Sequence, residues 1–378
     1  MSDTQKYTKP NVPDLRFPGF EGEWARCTLG EIGEPYIGLT YSPADVVNEG
    51  GTIVFRSSNI QNGEIDYSDI VRVNKKIKDS IITRKDDLLI CARNGSPRLI
   101  GKNALLKDAD AGQTFGAFML VFRSNDNHFV HQLLSTKGYY SQVSENLGAR
   151  INQITTSNIK DFEFYFPKSI AERNKIADFL NLIDERISIQ NKVIEKYESL
   201  IKALAHEIIG KNAPNKTLSE CVCCTSSILK ESDLEEAGAV PVYGAAGISG
   251  FTDSVLYRGE DSILITKDGS GVGSLRYVRG PHSFVGTLNS MTPKEGIYLP
   301  YIYYALQNVC FESYRTGQAI PHIYFKDYGK EAIYCPSYEE QVRMAIGLEK
   351  IDAKIGLEKA ALQSYKSAKV YLLSAMLI

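Results

Sequence analysis

The chain has 378 residues, 43% apolar and 23% charged, which is more than one ordinary core holds and fits two or more globular domains. A net charge of −2 excludes a protein that coats DNA by bulk charge, so any basic surface must be local. No apolar run reaches a membrane span, and seven cysteines in a chain whose polar start reads as no secretion signal fit reduced thiols in a cytoplasm.

In chain order, residues 1–14 read as a loose polar tail, and residues 15–166 as a β-rich domain. This domain holds "TLGE" at Thr28, "DDLLICARNGS" from Asp86, "GARINQI" from Gly148 and a strand "FEFYF" ending before Pro167. A long helix follows over 167–213. Ser169 and Glu172 stand as Ser-x-x-Glu, a capping box in which the hydroxyl and the carboxylate satisfy the N–H groups that a helix start leaves unpaired. Ile176, Leu180, Ile183, Ile187, Gln190, Ile194, Tyr197, Ile201, Leu204 and Ile208 then alternate in steps of four and three. That heptad rule places one apolar stripe against a partner helix. Gly210, then Pro214, end the helix as a C-cap pair would.

The plan then starts again. Residues 214–336 form a second β-rich domain with "TLSE" at Thr217, "EDSILITKDGS" from Glu260, "GQAIPHI" from Gly317 and a strand "EAIYC" before Pro336. Ser337 and Glu340 repeat the capping box at a constant offset, 340 − 172 = 168, and a second long helix fills 337–378. Its stripe is Met344, Leu348, Ile351, Ile355, Glu358, Leu362, Tyr365, Lys369, Leu372 and Met376. Gln190 and Glu358 interrupt the two stripes at one equivalent place, as register-setting polar residues do. Each helix spans on the order of 50 Å. Two unrelated amphipathic core helices are the competing reading, and caps, period and interruption recurring at one offset speak against it. Between the shared landmarks the two β-rich domains differ almost everywhere.

These features resemble the specificity subunit of type I restriction–modification enzymes. The resemblance covers nearly the whole chain: the opening "LRFPGFEGEWARCTLGEIG", both helix starts and the doubled layout. It departs from the pattern at Arg173, where the second copy has the more usual Gln341. The resemblance implies an α+β fold in which two target-recognition domains are joined by two helices pairing as an antiparallel coiled coil. Two equal units so joined are related by a pseudo-twofold axis, as duplex DNA is. Half-sites one turn apart need centres roughly 34 Å apart, a separation such helices can set. Unlike domains imply an asymmetric, bipartite target. The resemblance also implies two methylation subunits, which bind S-adenosylmethionine and modify adenine, and translocating restriction subunits as partners.

The expected DNA contacts come from residue chemistry. Arg93, Asn94, Ser96, Arg98 and Lys102 lie in or beside a turn after a strand, within a stretch from 84 to 107 that has six basic and two acidic residues. Arg and Asn are the types that read guanine and adenine edges bidentately. Lys267, Ser270, Arg276, Arg279 and His282 make the matching cluster of the second domain. Arg56 and Asn59 in "RSSN", Arg150 in the Arg150–Gln153 segment, and Arg315 beside and Gln318 within "GQAIPHI" complete the candidates. A solvated surface turn is the competing reading for each.

Other chemistry is excluded by spacing. "DGSGVGS" lacks the G-x-G-x-x-G order, and "GSPRLIGKN" has one residue too many for a phosphate loop. Cys221 and Cys224 form a lone C-x-x-C with no second ligand pair, so no metal is expected. His206-Glu207 lacks the second histidine of a zinc-protease helix. With no Asn-Pro-Pro-aromatic signature of adenine methyltransferases, methyl transfer and cleavage are expected in other chains, and no catalytic residue or cofactor in this one. The alternative is a duplicated scaffold for peptides or proteins, which sequence-dependent, salt-sensitive DNA binding would separate.

Overall fold

The computed structural model describes residues 11–147, 152–253, 261–318 and 320–378. The chain forms two compact units, Met1–Asn191 with Ala361–Ile378, and Lys192–Ala360. Each long helix, α1 (Ile170–Ala205) and α2 (Tyr338–Met376), contributes to both.

The two units share one topology. In the first, the strands are β1 (Glu34–Ile37), β2 (Thr52–Phe55), β3 (Leu88–Cys91), β4 (Asn103–Leu105), β5 (Thr114–Phe115) and β6 (Met119–Arg123). In the second they are β7 (Val222–Ser226), β8 (Val240–Gly244), β9 (Ser262–Thr266), β10 (Leu275–Val278), β11 (Ser283–Phe284) and β12 (Leu288–Pro293). One sheet runs β1-β6-β3-β4 and its counterpart β7-β12-β9-β10. A second sheet in each unit contains one parallel pair, β2 with β5 and β8 with β11. A short antiparallel ribbon ties each domain's start to its end: Ala25–Thr28 with Glu163–Phe166, and Lys216–Thr217 with Ala332–Ile333. "TLGE" and "TLSE" are capping boxes, with the Thr28 and Thr217 N–H groups donating to Glu31 and Glu220 at 2.6 and 2.7 Å. The expected α+β fold and its duplication are what the chain adopts.

In the first unit both long helices close one core. Ile176 and Leu180 of α1 and Leu373 and Met376 of α2 pack with Leu88, Ile90, Phe122 and Phe129 of the domain. The helices run antiparallel there, because Asp184 pairs with Lys369 and Arg186 donates to the Tyr365 hydroxyl at 3.3 Å. In the second unit Glu198 pairs with Lys359 at 2.7 Å, joining the same two helices.

The helix ends differ from expectation in two respects, and the tail in one. Ser169 and Ser337 do cap, accepting from the Glu172 and Glu340 N–H groups at 3.4 Å. The Glu172 carboxylate, however, turns to Arg16 in a bidentate pair at 2.7 and 2.9 Å, because a buried carboxylate gains more from a guanidinium fork than from one N–H. Gly210 is not a left-handed cap. The helix ends in a π-helical turn over His206–Gly210, and a Cβ at Gly210 would meet Asn308 Oδ1 at 2.9 Å. The two approach closely, and the Asn308 side chain would have to move to admit a Cβ. Residues 11–14 are held rather than loose: Pro13 is buried and the Asn11 carbonyl accepts from the Trp24 N–H at 2.8 Å. Residues 1–10 lie outside the described residues.

Of the expected seam, Ile176, Leu180, Ile194, Ile201, Leu348 and Ile355 are buried. Ile183, Ile187, Leu204, Met344, Ile351, Leu362, Tyr365 and Leu372 are half-buried. The interrupting Gln190 is buried too, and Glu358 pairs with Lys354 at 2.6 Å. The two stripes are not covered equally: Ile355 is buried, whereas Ile187 keeps partial solvent access.

Candidate nucleic-acid interface

At the end of β3 three segments of the first unit cross. The Ala92 and Arg93 N–H groups both donate to the Phe118 carbonyl at 3.0 Å, the Asn94 N–H to the Asn152 carbonyl at 3.4 Å, and the Ile154 N–H to the Ala92 carbonyl at 2.9 Å. Gln153 sits opposite Arg93 as an antiparallel bridge. The second unit repeats every one of these bonds at the end of β9. The Lys267 and Asp268 N–H groups donate to the Thr287 carbonyl at 2.9 and 3.3 Å, Gly269 donates to Pro321 at 2.9 Å, and Ile323 to Lys267 at 2.9 Å. His322 bridges Asp268. Sheet ends leave backbone groups that must find partners, and the crossing supplies them in the same way twice.

In the first unit the crossing lines a cleft of about 1050 Å³ whose walls include Leu39, Tyr41, Pro43 and Phe118 and whose polar groups include Arg56, Ser57, Asn94 and Asn152. The Arg93 guanidinium lies over the Phe118 ring, 5.0 Å from its centroid, and the ring is 58% exposed. An exposed cation on an exposed aromatic face is a surface suited to stacking and to bidentate donation. The Asn94 amide is already engaged, donating to Ser57 Oγ and accepting from the Ser96 N–H, both at 3.0 Å. It shapes the turn that presents Arg93.

The family model for the type I restriction modification DNA specificity domain matches residues 21–199 and again 218–365. The chain belongs to this family. Curated relatives include the type I restriction enzyme EcoKI specificity subunit of Escherichia coli, 27% identical over 205 residues, 52% of this chain and 44% of that subunit. The putative type I specificity subunit S.MgeORF438P of Mycoplasma genitalium is 31% identical over 179 residues, 42% of this chain and 46% of the relative. The matched stretch thus spans less than half the length of these relatives. Among solved structures, the type I restriction–modification system S subunit from M. genitalium aligns over 97% of this chain and 99% of its own, with a TM-score of 0.64 at 22% identity. It supports the fold of this specificity-domain chain.

The remaining candidates of this family member divide by environment. Arg98 is exposed and Ser96 half-buried. Lys102 faces a different cleft of about 630 Å³, with His131, Asp184 and Lys369. Lys85 and Lys107 pair with Asp108 and Glu64 at 3.1 and 2.5 Å, so the basic surplus of 84–107 is smaller than its sequence count. Arg56 pairs with Asp69 at 2.7 Å while still lining the first cleft. Asn59 is a correction: it is fully buried, and its amide donates to the Asp66 and Asp69 carbonyls at 2.9 and 2.8 Å. Its polarity serves a backbone turn. Arg150 lies outside the described residues.

In the second unit Ser270, Arg315 and Gln318 are exposed, with Arg315 paired to Glu312 at 2.7 Å. Arg276 lies over the Tyr243 ring at 5.8 Å, and Arg279 over Tyr277 at 5.8 Å while pairing with Glu349 at 3.7 Å. His282 is a second correction. It is fully buried, its Nε2 2.7 Å from Ser262 Oγ and its Nδ1 2.8 Å from the Gly280 carbonyl oxygen. A third concerns register. Sequence similarity sets Lys267 against Arg93, but the hydrogen bonds set Lys267 against Ala92 and Asp268 against Arg93. Local similarity of two strand ends does not register a one-residue slip that flips side chains to the other face. Cys221 and Cys224 do not pair; both are free thiols. Among the described residues no group of three or more His, Cys, Asp or Glu is arranged to hold a metal, and no helix is long and apolar enough to cross a membrane.

Proposed function

We propose that this chain is the non-catalytic, DNA-reading subunit of a cytoplasmic type I restriction–modification complex. Each unit reads one part of a bipartite, asymmetric double-stranded target. The reading directs adenine methylation or restriction by partner chains: two methylation subunits, which carry S-adenosylmethionine, and translocating restriction subunits. The observation that carries it is the pair of crossings, with one hydrogen-bond framework and two different sets of side chains. A scaffold for two copies of one partner would gain from equal surfaces, whereas readout of an asymmetric sequence needs unequal ones. Membership of the specificity-domain family supports the same reading. Arg93, Arg98, Lys267, Arg276 and Arg279 supply cations for phosphates and bases.

The test is methylome sequencing of cells expressing the chain with its methylation partners, beside binding of the assembled complex to the motif found. A split, asymmetric motif is expected, with affinity falling linearly in log–log terms between 50 and 200 mM salt. Methylation without a motif, or binding indifferent to sequence, would refute it.

A further inference from the structure

The two crossings leave three side-chain positions in each unit that the sheet does not require. In the first unit they hold Arg93, Phe118 and Gln153; in the second, Asp268, Thr287 and His322. The backbone at each position is fixed by the same bonds, so the side chains are free to differ without disturbing the fold. They differ in charge, size and hydrogen-bonding sense. Among the described residues, the Gln153 amide, the Asp268 carboxylate and the Arg93 guanidinium make no hydrogen bond or ion pair, and the guanidinium lies over the Phe118 ring. Polar side chains that stand on a fixed backbone, reach solvent and make no bond within the protein are available to a ligand. Asp268 lines its own cleft, of about 320 Å³.

Resting on the DNA-reading function above, we propose that these six residues are the specificity-determining positions, and that an acidic residue, Asp268, selects the base in the second half of the target. The Arg93 fork matches the O6 and N7 acceptors of guanine, and the Phe118 face suits an adjoining thymine methyl. A carboxylate accepts from the N4 amino group of cytosine. A carboxylate near phosphates weakens binding overall, so Asp268 contributes selection rather than affinity. The first half-site therefore contains a guanine at the base pair read by Arg93, and the second a cytosine facing Asp268.

The experiment compares methylomes of cells expressing the full chain with its methylation partners, wild type against Asp268→Asn, Thr287→Val and Arg93→Lys. Asp268→Asn is expected to relax one cytosine in the second half, lowering its preference by roughly ten- to hundred-fold, with the first half unchanged. Arg93→Lys keeps the charge but loses the fork, and should relax one guanine in the first half only. A wild-type motif left intact by both Asp268→Asn and Arg93→Lys overturns the assignment while the DNA-reading function stands. So does a change in the first half caused by Asp268→Asn or Thr287→Val. A wild-type complex that methylates without sequence preference overturns the function and the assignment together.

Discussion

Arg173 and Gln341 stand one repeat apart and perform one task with different chemistry. Arg173 donates to the Pro167 carbonyl at 2.7 Å and pairs with Asp126, which precedes the helix Asn127–Leu133, at 2.8 Å. Gln341 donates to the Pro336 carbonyl at 2.9 Å and accepts from the Tyr298 N–H, before the helix Leu299–Leu306, at 2.8 Å. A guanidinium accepts nothing, so the first copy needs a carboxylate where the second uses a backbone N–H. Arg173→Gln should leave Asp126 unpaired at 18% exposure. We expect a loss of about 1–3 kcal/mol, read as a drop of several degrees in the thermal midpoint of the full chain. Sequence showed Arg173 as a departure from pattern; its compensation at Asp126 lies 47 residues away and has no local signal. His131 is a second such residue. Its Nδ1 is shut off from solvent, and burial pushes the imidazole down to about 4 against the pull of Asp184. The unfolded chain, with a histidine near 6.5, then binds a proton that the folded chain refuses. Stability should fall as pH drops from about 6.5 towards 4, by about 1–2 kcal/mol between pH 7 and pH 5. Chemical denaturation across that range should show a shallower pH slope for His131→Leu than for the parent.

At the scale of elements, the long helices were legible because a four–three stripe persists over ten positions in each. No seam residue is fully exposed, yet their burial is uneven. Ile355 is 4% exposed, whereas Ile187 is half-buried beside Ser188, whose hydroxyl donates to Glu64 at 2.8 Å. Ile355→Asp would strand a charge in an apolar contact and should cost several kcal/mol. Ile187→Asp can turn its carboxylate to water and should cost clearly less. Unfolding midpoints of the two variants check the ranking, and equal losses would contradict it. Periodicity reports which face of a helix is covered, but not how deeply, because depth depends on what the domains lay over that face.

For the whole molecule, repetition of topology with replacement of side chains makes the two readout units separable. Contacts that share no partners add nearly independently. Replacing residues 15–166 with the domain of a relative should therefore change one half of the methylated sequence and leave the half read by residues 214–336, and the spacer, as they were. Methylome sequencing of the chimera beside the parent decides this: a chimera that methylates with both halves altered, or neither, would contradict partitioned readout. The sequence by itself determined the duplication, the α+β class and the paired helices. Each is written in local signals, capping residues and hydrophobic period, that repeat along the chain. Only the tertiary structure decided which polar residues face outward. Asn59 and His282 have the composition of contact residues but are drawn inside to satisfy buried partners. Asp268, which dilutes the basic charge of its segment, is brought to the place of Arg93 by hydrogen bonds between strands far apart in sequence. The orientation of a side chain at a strand end follows from pairing register, and register is set by partners that no local stretch contains.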